Sequence, residues 1–321
     1  MAVGKRKKEE KHGKGTMECW NNGITGILPG GYVDETGIVH QEAQLTPLTG
    51  KEEELLAQSR RQESASLVTN VLSRCLKRLG PIEPVPEEVV RCLLIADRQY
   101  LLLKLREMTF GERVQASVSC PWPDCREKVD INFSIKDIPI KESLEKGPFY
   151  KMELSPEAAF KSDNQEDYRE IVFRLPNGGD QELVSPLLAE NEALALSMLL
   201  ERCIVEIGPV KNPGKELVDK LSPLARMEIE KHMAAAAPYV ELDMEAHCPE
   251  CGREFTLPFD LYHFFFGELR TSLDMLYREV HYLAYHYHWS EQEIMDMTRE
   301  KRHKYIEVLA DEIERMNNAV S

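Results

Sequence analysis

Cys120-Pro-Trp-Pro-Asp-Cys125 and Cys248-Pro-Glu-Cys251-Gly252 are two short cysteine pairs whose first sulfurs stand 128 positions apart. Each pair sits between stretches that alternate like strands. Val114, Ala116 and Val118 lead into the first and Val129, Ile131 and Phe133 leave it; Val240, Leu242 and Met244 lead into the second, with Phe255 and Leu257 beyond. Strand, tight turn with two thiolates and returning strand make a zinc knuckle. Two facing knuckles supply the four sulfurs of a tetrahedral structural site. The expected metal ligands are therefore Cys120, Cys125, Cys248 and Cys251, and the expected cofactor is zinc. Gly252 suits the left-handed step such a turn needs, whereas Arg126 occupies the matching place in the wider first pair. Other readings are reduced thiols on two hairpin turns, a site of one pair aided by His247, and a disulfide or thioredoxin-like redox pair. The last lacks the βαβ context such motifs have. A closed four-sulfur set leaves no open position for a catalytic water.

The chain has 321 residues, 42% apolar and 30% charged, with a formal net charge of −15. That length suits two modest domains and a tail. No apolar run reaches the length of a membrane span. The Lys5-Arg6-Lys7-Lys8 run has no apolar segment behind it and does not read as a secretory signal. The scattered Cys19, Cys75, Cys92 and Cys203 fit buried thiols in a reducing compartment. An acidic surface repels phosphate backbones and anionic membranes, which disfavours nucleic-acid partners.

The chain reads as repeating itself once. Leu72-Ser73-Arg74-Cys75 resembles Leu200-Glu201-Arg202-Cys203, and Gly80 matches Gly208, both at the offset of the knuckles. Further upstream, Thr46-Pro47-Leu48 matches Ser185-Pro186-Leu187 at a longer offset, which implies about 11 extra residues near 57–64 of the first copy. Leu28-Pro29-Gly30-Gly31 likewise resembles Leu175-Pro176-Asn177-Gly178. Each unit is expected to hold a hairpin, a helix closed by Gly80 or Gly208, a second helix and a knuckle. The second helices are placed from Pro86 to Met108 and from Leu217 to Ala237. The polar stretch before Tyr168 reads as a linker.

Beyond Phe259 the character changes. A dense aromatic patch precedes a helix expected over Leu269 to His286. Ser290 and Glu293 form a capping-box signature, and a last helix is expected from Arg299 to Asn317. His281, His286 and His288 invite a metal reading, but the interleaved tyrosines suit packing better. From Ser290 onward there are eight acidic residues against five Lys and Arg, which disfavours a DNA-recognition helix. A tail that docks on a partner is expected instead. No phosphate-binding loop, nucleophile elbow or zinc-protease motif is present, so neither an enzyme nor a small-molecule substrate is expected.

Leu28-Pro29-Gly30-Gly31-Tyr32, His40 and the run Leu45 to Leu56 resemble the opening of the T-even-type phage baseplate proteins. The resemblance continues through Ala96 to Leu101, Lys104-Leu105-Arg106, Phe110-Gly111-Glu112 and the first knuckle. Leu276 to Arg302 resembles a small tail-associated protein that occurs as a separate chain in phages and phage-tail-like injection systems. The resemblance implies a hub component or hub-assembly chaperone of a contractile tail, with other baseplate or tail hub proteins as partners. It also implies residence in the bacterial cytoplasm during assembly and in the virion tail or injection particle afterwards. The alternative is a zinc-ribbon nucleic-acid-binding regulator. The expected fold is α+β: two related hairpin-plus-helix units joined by a four-cysteine zinc ribbon, with a helical C-terminal tail. Its divisions are a disordered basic 1–24, a first unit over 25–138, a linker over 139–171, a second unit over 172–262 and a tail over 263–321.

Overall fold

The computed structural model describes residues 23–58, 64–162, 166–188 and 190–320. The basic N-terminal run, Cys19 and most of 57–64 lie outside them. The chain opens with a hairpin, β1 (Ile24–Val33) and β2 (Val39–Leu45), then α1 (Gly50–Gln58), α2 (Ser64–Cys75) and β3 (Leu76–Leu79). Next come α3 (Glu87–Cys92), α4 (Ile95–Phe110) and the first knuckle strands, β4 (Arg113–Ser119) and β5 (Lys128–Ser134). Short strands follow: β6 (Ile140–Lys141), β7 (Tyr150–Glu153), β8 (Phe160–Lys161), β9 (Asp167–Tyr168) and β10 (Glu170–Phe173). Then come α5 (Gly178–Leu188), α6 (Glu192–Cys203), β11 (Ile204–Ile207), β12 (Val210–Lys211), α7 (Gly214–Asp219) and α8 (Pro223–Ala236). The second knuckle strands, β14 (Asp243–His247) and β15 (Glu254–Pro258), follow β13 (Tyr239–Val240). The chain closes with α9 (Leu261–Tyr287), α10 (Glu291–Met295) and α11 (Arg299–Val320).

One antiparallel sheet has the order β1-β2-β3 and another the order β7-β10-β11-β12. Their registers run in step. Ala43 pairs with Leu79 and Leu45 with Leu76, while Ile171 pairs with Ile207 and Phe173 with Ile204, each partner 128 positions on. Both ladders shift register at the same step. The Gly80 N–H reaches the Glu42 carbonyl at 2.8 Å, and the Gly208 N–H reaches that of Glu170 at 2.8 Å. The bonds of two arginines at the same offset agree too. Arg98 donates to the Thr69 hydroxyl at 2.9 Å and the Val90 carbonyl at 3.3 Å; Arg226 donates to the Ser197 hydroxyl at 2.8 Å and the Val218 carbonyl at 3.1 Å.

Local chemistry sets the helix ends. Asn191 caps α6 by accepting the Leu194 N–H at 3.0 Å. Ser222 caps α8 through the Ala225 N–H, with Pro223 in the first turn. Ser290 and Glu293 form the expected reciprocal capping box of α10.

Several expectations are corrected. The helical run through Leu79 stops at Cys75, because Leu76 to Leu79 add the third strand to the β1-β2 hairpin; Gly80 and Gly208, at φ +55° and +54°, close strands rather than helices. The second helix of each unit is two helices. Leu93 and Leu94 are extended because the Leu93 carbonyl accepts the Gly178 N–H at 3.0 Å and Leu94 bridges Asn177. In the second unit the chain turns between α7 and α8. The longer upstream offset does not hold either. Thr46-Pro47-Leu48 precedes α1 whereas Ser185-Pro186-Leu187 lies inside α5, and Leu28–Gly31 lies in β1 whereas Gly178 opens α5. Gly50 and Gly178, 128 apart, begin α1 and α5. The stretch 139–171 carries β6 to β9, and β7 pairs along the whole of β10.

The start of the tail is embedded, whereas α11 beyond Arg302 is half-buried or exposed. Helix α9 starts at Leu261, so Phe265, Phe266 and Leu269 complete the first core beside Leu28, Leu72 and Leu101. A second core gathers Phe173, Leu200, Ile207 and Ile229. A smaller one holds Leu276, Leu283 and Ile294 against Trp289 and Tyr305. No helix is long and apolar enough to cross a membrane among the described residues.

Candidate metal centre

The two knuckle hairpins meet face to face. Both are regular antiparallel pairs, Arg113 opposite Ser134 through Ser119 opposite Lys128 in one and Asp243 opposite Pro258 through His247 opposite Glu254 in the other. Beyond each ladder the chain makes a tight turn around its first cysteine. The Cys120 N–H donates to the Glu127 carbonyl at 2.8 Å and the Cys248 N–H to that of Arg253 at 3.0 Å. These bonds hold both sulfurs at the hairpin tips.

Cys120 Sγ lies 3.8 Å from Cys251 Sγ, and Cys125 Sγ lies 3.7 Å from Cys248 Sγ. All four sulfurs fall within 4.8 Å of one another. Zinc–sulfur bonds near 2.3 Å in a tetrahedron put sulfurs about 3.8 Å apart. The donor set therefore fits a tetrahedral ion. No disulfide joins the described cysteines, and these separations are far longer than the ~2.05 Å of a sulfur–sulfur bond. Cys120 and Cys248 are buried, Cys125 and Cys251 half-buried, and Val129, Val118 and Phe255 pack around them.

Electrostatics divide the four thiols. Backbone N–H groups of Cys251 and Glu250 point at the Cys248 sulfur and pull its thiol down to about 7. At Cys125 the Glu127 N–H works the other way, yet burial and the three facing sulfurs push the thiol up to about 12. Burial also raises Cys120. A bound cation would remove this conflict by favouring all four thiolates. Cys75 and Cys203, both pushed up to about 12 by burial, are inert thiols of the two cores.

All four expected ligands come together, and among the described residues no histidine joins them. His247 is exposed at the end of β14 and is not part of the cluster. His281, His286 and His288 form no ligand group; Tyr282 packs edge-on against His286 at 4.7 Å. A cross-link that sequence reasoning missed is Arg253 with Asp124. The guanidinium bonds both carboxylate oxygens, at 2.8 and 2.7 Å, and lies 5.2 Å over the Trp122 ring. The signal was the Trp-Pro-Asp stretch of the first pair, which has two more intervening residues than the second and had to face something.

A family model described as T4 bacteriophage base plate protein matches residues 33–266. A second, described as a family of unknown function (DUF6760), matches residues 270–321. No curated protein and no solved structure matches the chain.

Proposed function

The chain belongs to the family of T4 bacteriophage base plate proteins, and on that premise we propose that it is a hub component or hub-assembly factor of a contractile tail or tail-like injection system. A structural or assembly role in a phage baseplate follows from the family itself. The finer reading is that the chain is an internally duplicated scaffold without catalytic function. It works on other hub proteins, in the bacterial cytoplasm while particles are built and in the finished tail thereafter. One zinc ion bound by Cys120, Cys125, Cys248 and Cys251 fixes the pose of its two units.

The observation that carries the zinc clasp is the four-sulfur cluster, with each unit contributing two ligands at tetrahedral spacing. Two sulfurs alone would make a poor site, so the ion and the pairing of units depend on each other. The duplication is supported by the shared register and by the Arg98 and Arg226 bonding patterns at one offset.

Elemental analysis of the purified chain tests the clasp: one zinc per chain is expected, and none in Cys248→Ser/Cys251→Ser. Zinc-free protein with unchanged melting would end that reading. For the baseplate role, cells lacking the chain are expected to yield tails without a complete hub by electron microscopy; normal tails would refute it.

A further inference from the structure

The chain uses one docking geometry twice and leaves its receiving face open once. In the first use, α5 of the second unit meets the first unit. The Gly178 N–H donates to the Leu93 carbonyl at 3.0 Å, Asn177 bridges Leu94, and the Thr69 hydroxyl donates to Glu182. Arg98, four residues beyond Leu94, is fully buried against Gly178. In the second use, α1 of the first unit meets the tail. The Gly50 N–H donates to the Met297 carbonyl at 3.2 Å, Thr49 bridges Thr298, and the Tyr277 hydroxyl donates to Glu54. Arg302, four residues beyond Thr298, is fully buried and reaches Glu53 and Glu279, each at 2.8 Å. Glu54 and Glu182 are themselves 128 positions apart.

The tail thus treats α1 as the first unit treats α5. The second unit carries the same receiving set: Leu221, Ser222 and Arg226 stand where Leu93, Leu94 and Arg98 stand in the first unit. Nothing in the described chain covers it as α5 covers its counterpart. Ser222 is exposed, Arg226 is only half-buried, and Leu196 is 37% exposed where its counterpart Val68 is 0% exposed.

We infer that this face of the second unit receives helix α1 of a second copy of the chain once that copy's tail is displaced, so that the tail acts as a cap on head-to-tail association. A second copy is the fitting occupant because α1 is the helix whose counterpart, α5, already fills the equivalent face. Its Glu54 would meet Ser197, already bonded by Arg226, as Glu182 meets Thr69, bonded by Arg98; Asp219 stands where Arg91 does. A surface on one end that fits a different surface on the other generates rings or open chains rather than a closed pair. Stacked repeats need terminal caps with a polar outer face to stay soluble. This inference rests on the reading of two like units.

Sedimentation velocity on the full chain tests it. Arg302→Ala strips Glu53 and Glu279 of their shared counter-charge, and Ile294→Asp separately breaks the apolar seat of α10. The wild type and Leu196→Asp are expected to stay monomeric. Each released chain is expected to self-associate, its average mass at least roughly doubling as concentration rises. Adding Leu196→Asp to either should restore the monomer. Two released chains that remain monomeric, or an association that Leu196→Asp leaves intact, would overturn the inference. So would a wild type that already associates through this face. Zinc content measured on the same samples separates failure here from failure of the clasp.

Discussion

Arg126 and Gly252 hold the same step of the two knuckle turns, at φ +56° and +69°. Glycine enters the left-handed region freely, whereas an L side chain there costs about 1–2 kcal/mol. Arg126 is exposed. Arg126→Gly is therefore expected to stabilise the chain by roughly 1 kcal/mol in urea unfolding. Gly252→Ala should cost a similar amount, although nothing lies within 4 Å of the added methyl.

Metal removal and acid should act alike. The ligating sulfurs must be thiolates, so zinc affinity falls as they are protonated. At pH 7.5 the zinc-loaded chain is expected to melt on the order of 10 °C above Cys248→Ser/Cys251→Ser. That gap should close as pH falls towards 5, and a strong chelator at neutral pH should close it as well. A gap that stays constant across this range would count against thiolate ligation.

Asp97 gives a pH dependence of the opposite sense to the usual carboxylate. It is fully buried, and burial raises its carboxyl to about 6 even though it accepts the Gly30 and Gly31 N–H groups at 2.8 and 3.0 Å. A raised folded value means its contribution is fully present below the unfolded value near 4 and is lost as pH climbs through 6. Asp97→Asn gives up one of the two accepted bonds but removes the cost of ionising. Its destabilisation is expected to be up to about 2 kcal/mol smaller at pH 7 than at pH 4.5, read from paired denaturation curves. An equal cost at both pH values would contradict the assignment.

Gly178 has no room for a side chain. A methyl there would lie 2.6 Å from Cζ of Arg98 and closer still to Nη1, in a guanidinium pinned by Thr69, Val90 and Ala65. Gly178→Ala should cost roughly 1–3 kcal/mol. Hydrogen exchange is expected to rise first at the start of α5 and in α4.

The Asp124–Arg253 pair should matter far less than its geometry suggests. Both partners are largely exposed, and exposed ion pairs contribute under about 1 kcal/mol. Asp124→Ala is expected to retain zinc and to shift the urea midpoint only slightly.

The knuckles were legible because cysteine spacing and flanking alternation are local signals that burial does not change. The capping box at Ser290 was legible for the same reason. The strand at Leu76–Leu79 was not, because Leu72, Leu76 and Leu79 fit a helical face as well as a strand edge; only the β1-β2 hairpin beside them decides. The break at Leu93-Leu94 was hidden by its cause, a carbonyl committed to Gly178 some 85 positions away. The start of α9 at Leu261 was blurred by the aromatic run, whose burial depends on the first unit. Nothing local in the sequence marks Arg98 and Arg302 for burial, which is a property of the docked helices.

The first core borrows Val240, Leu261, Phe265, Phe266 and Leu269 from the far end of the chain. During translation the N-terminal half therefore emerges with an unfilled apolar hollow and two lone sulfurs. It must wait for more than a hundred further residues, so neither the hollow nor the ion pocket can close on a truncated product. Completeness of the polypeptide becomes a condition of its maturation, and a ribosome that stops early releases a chain whose first core stays open.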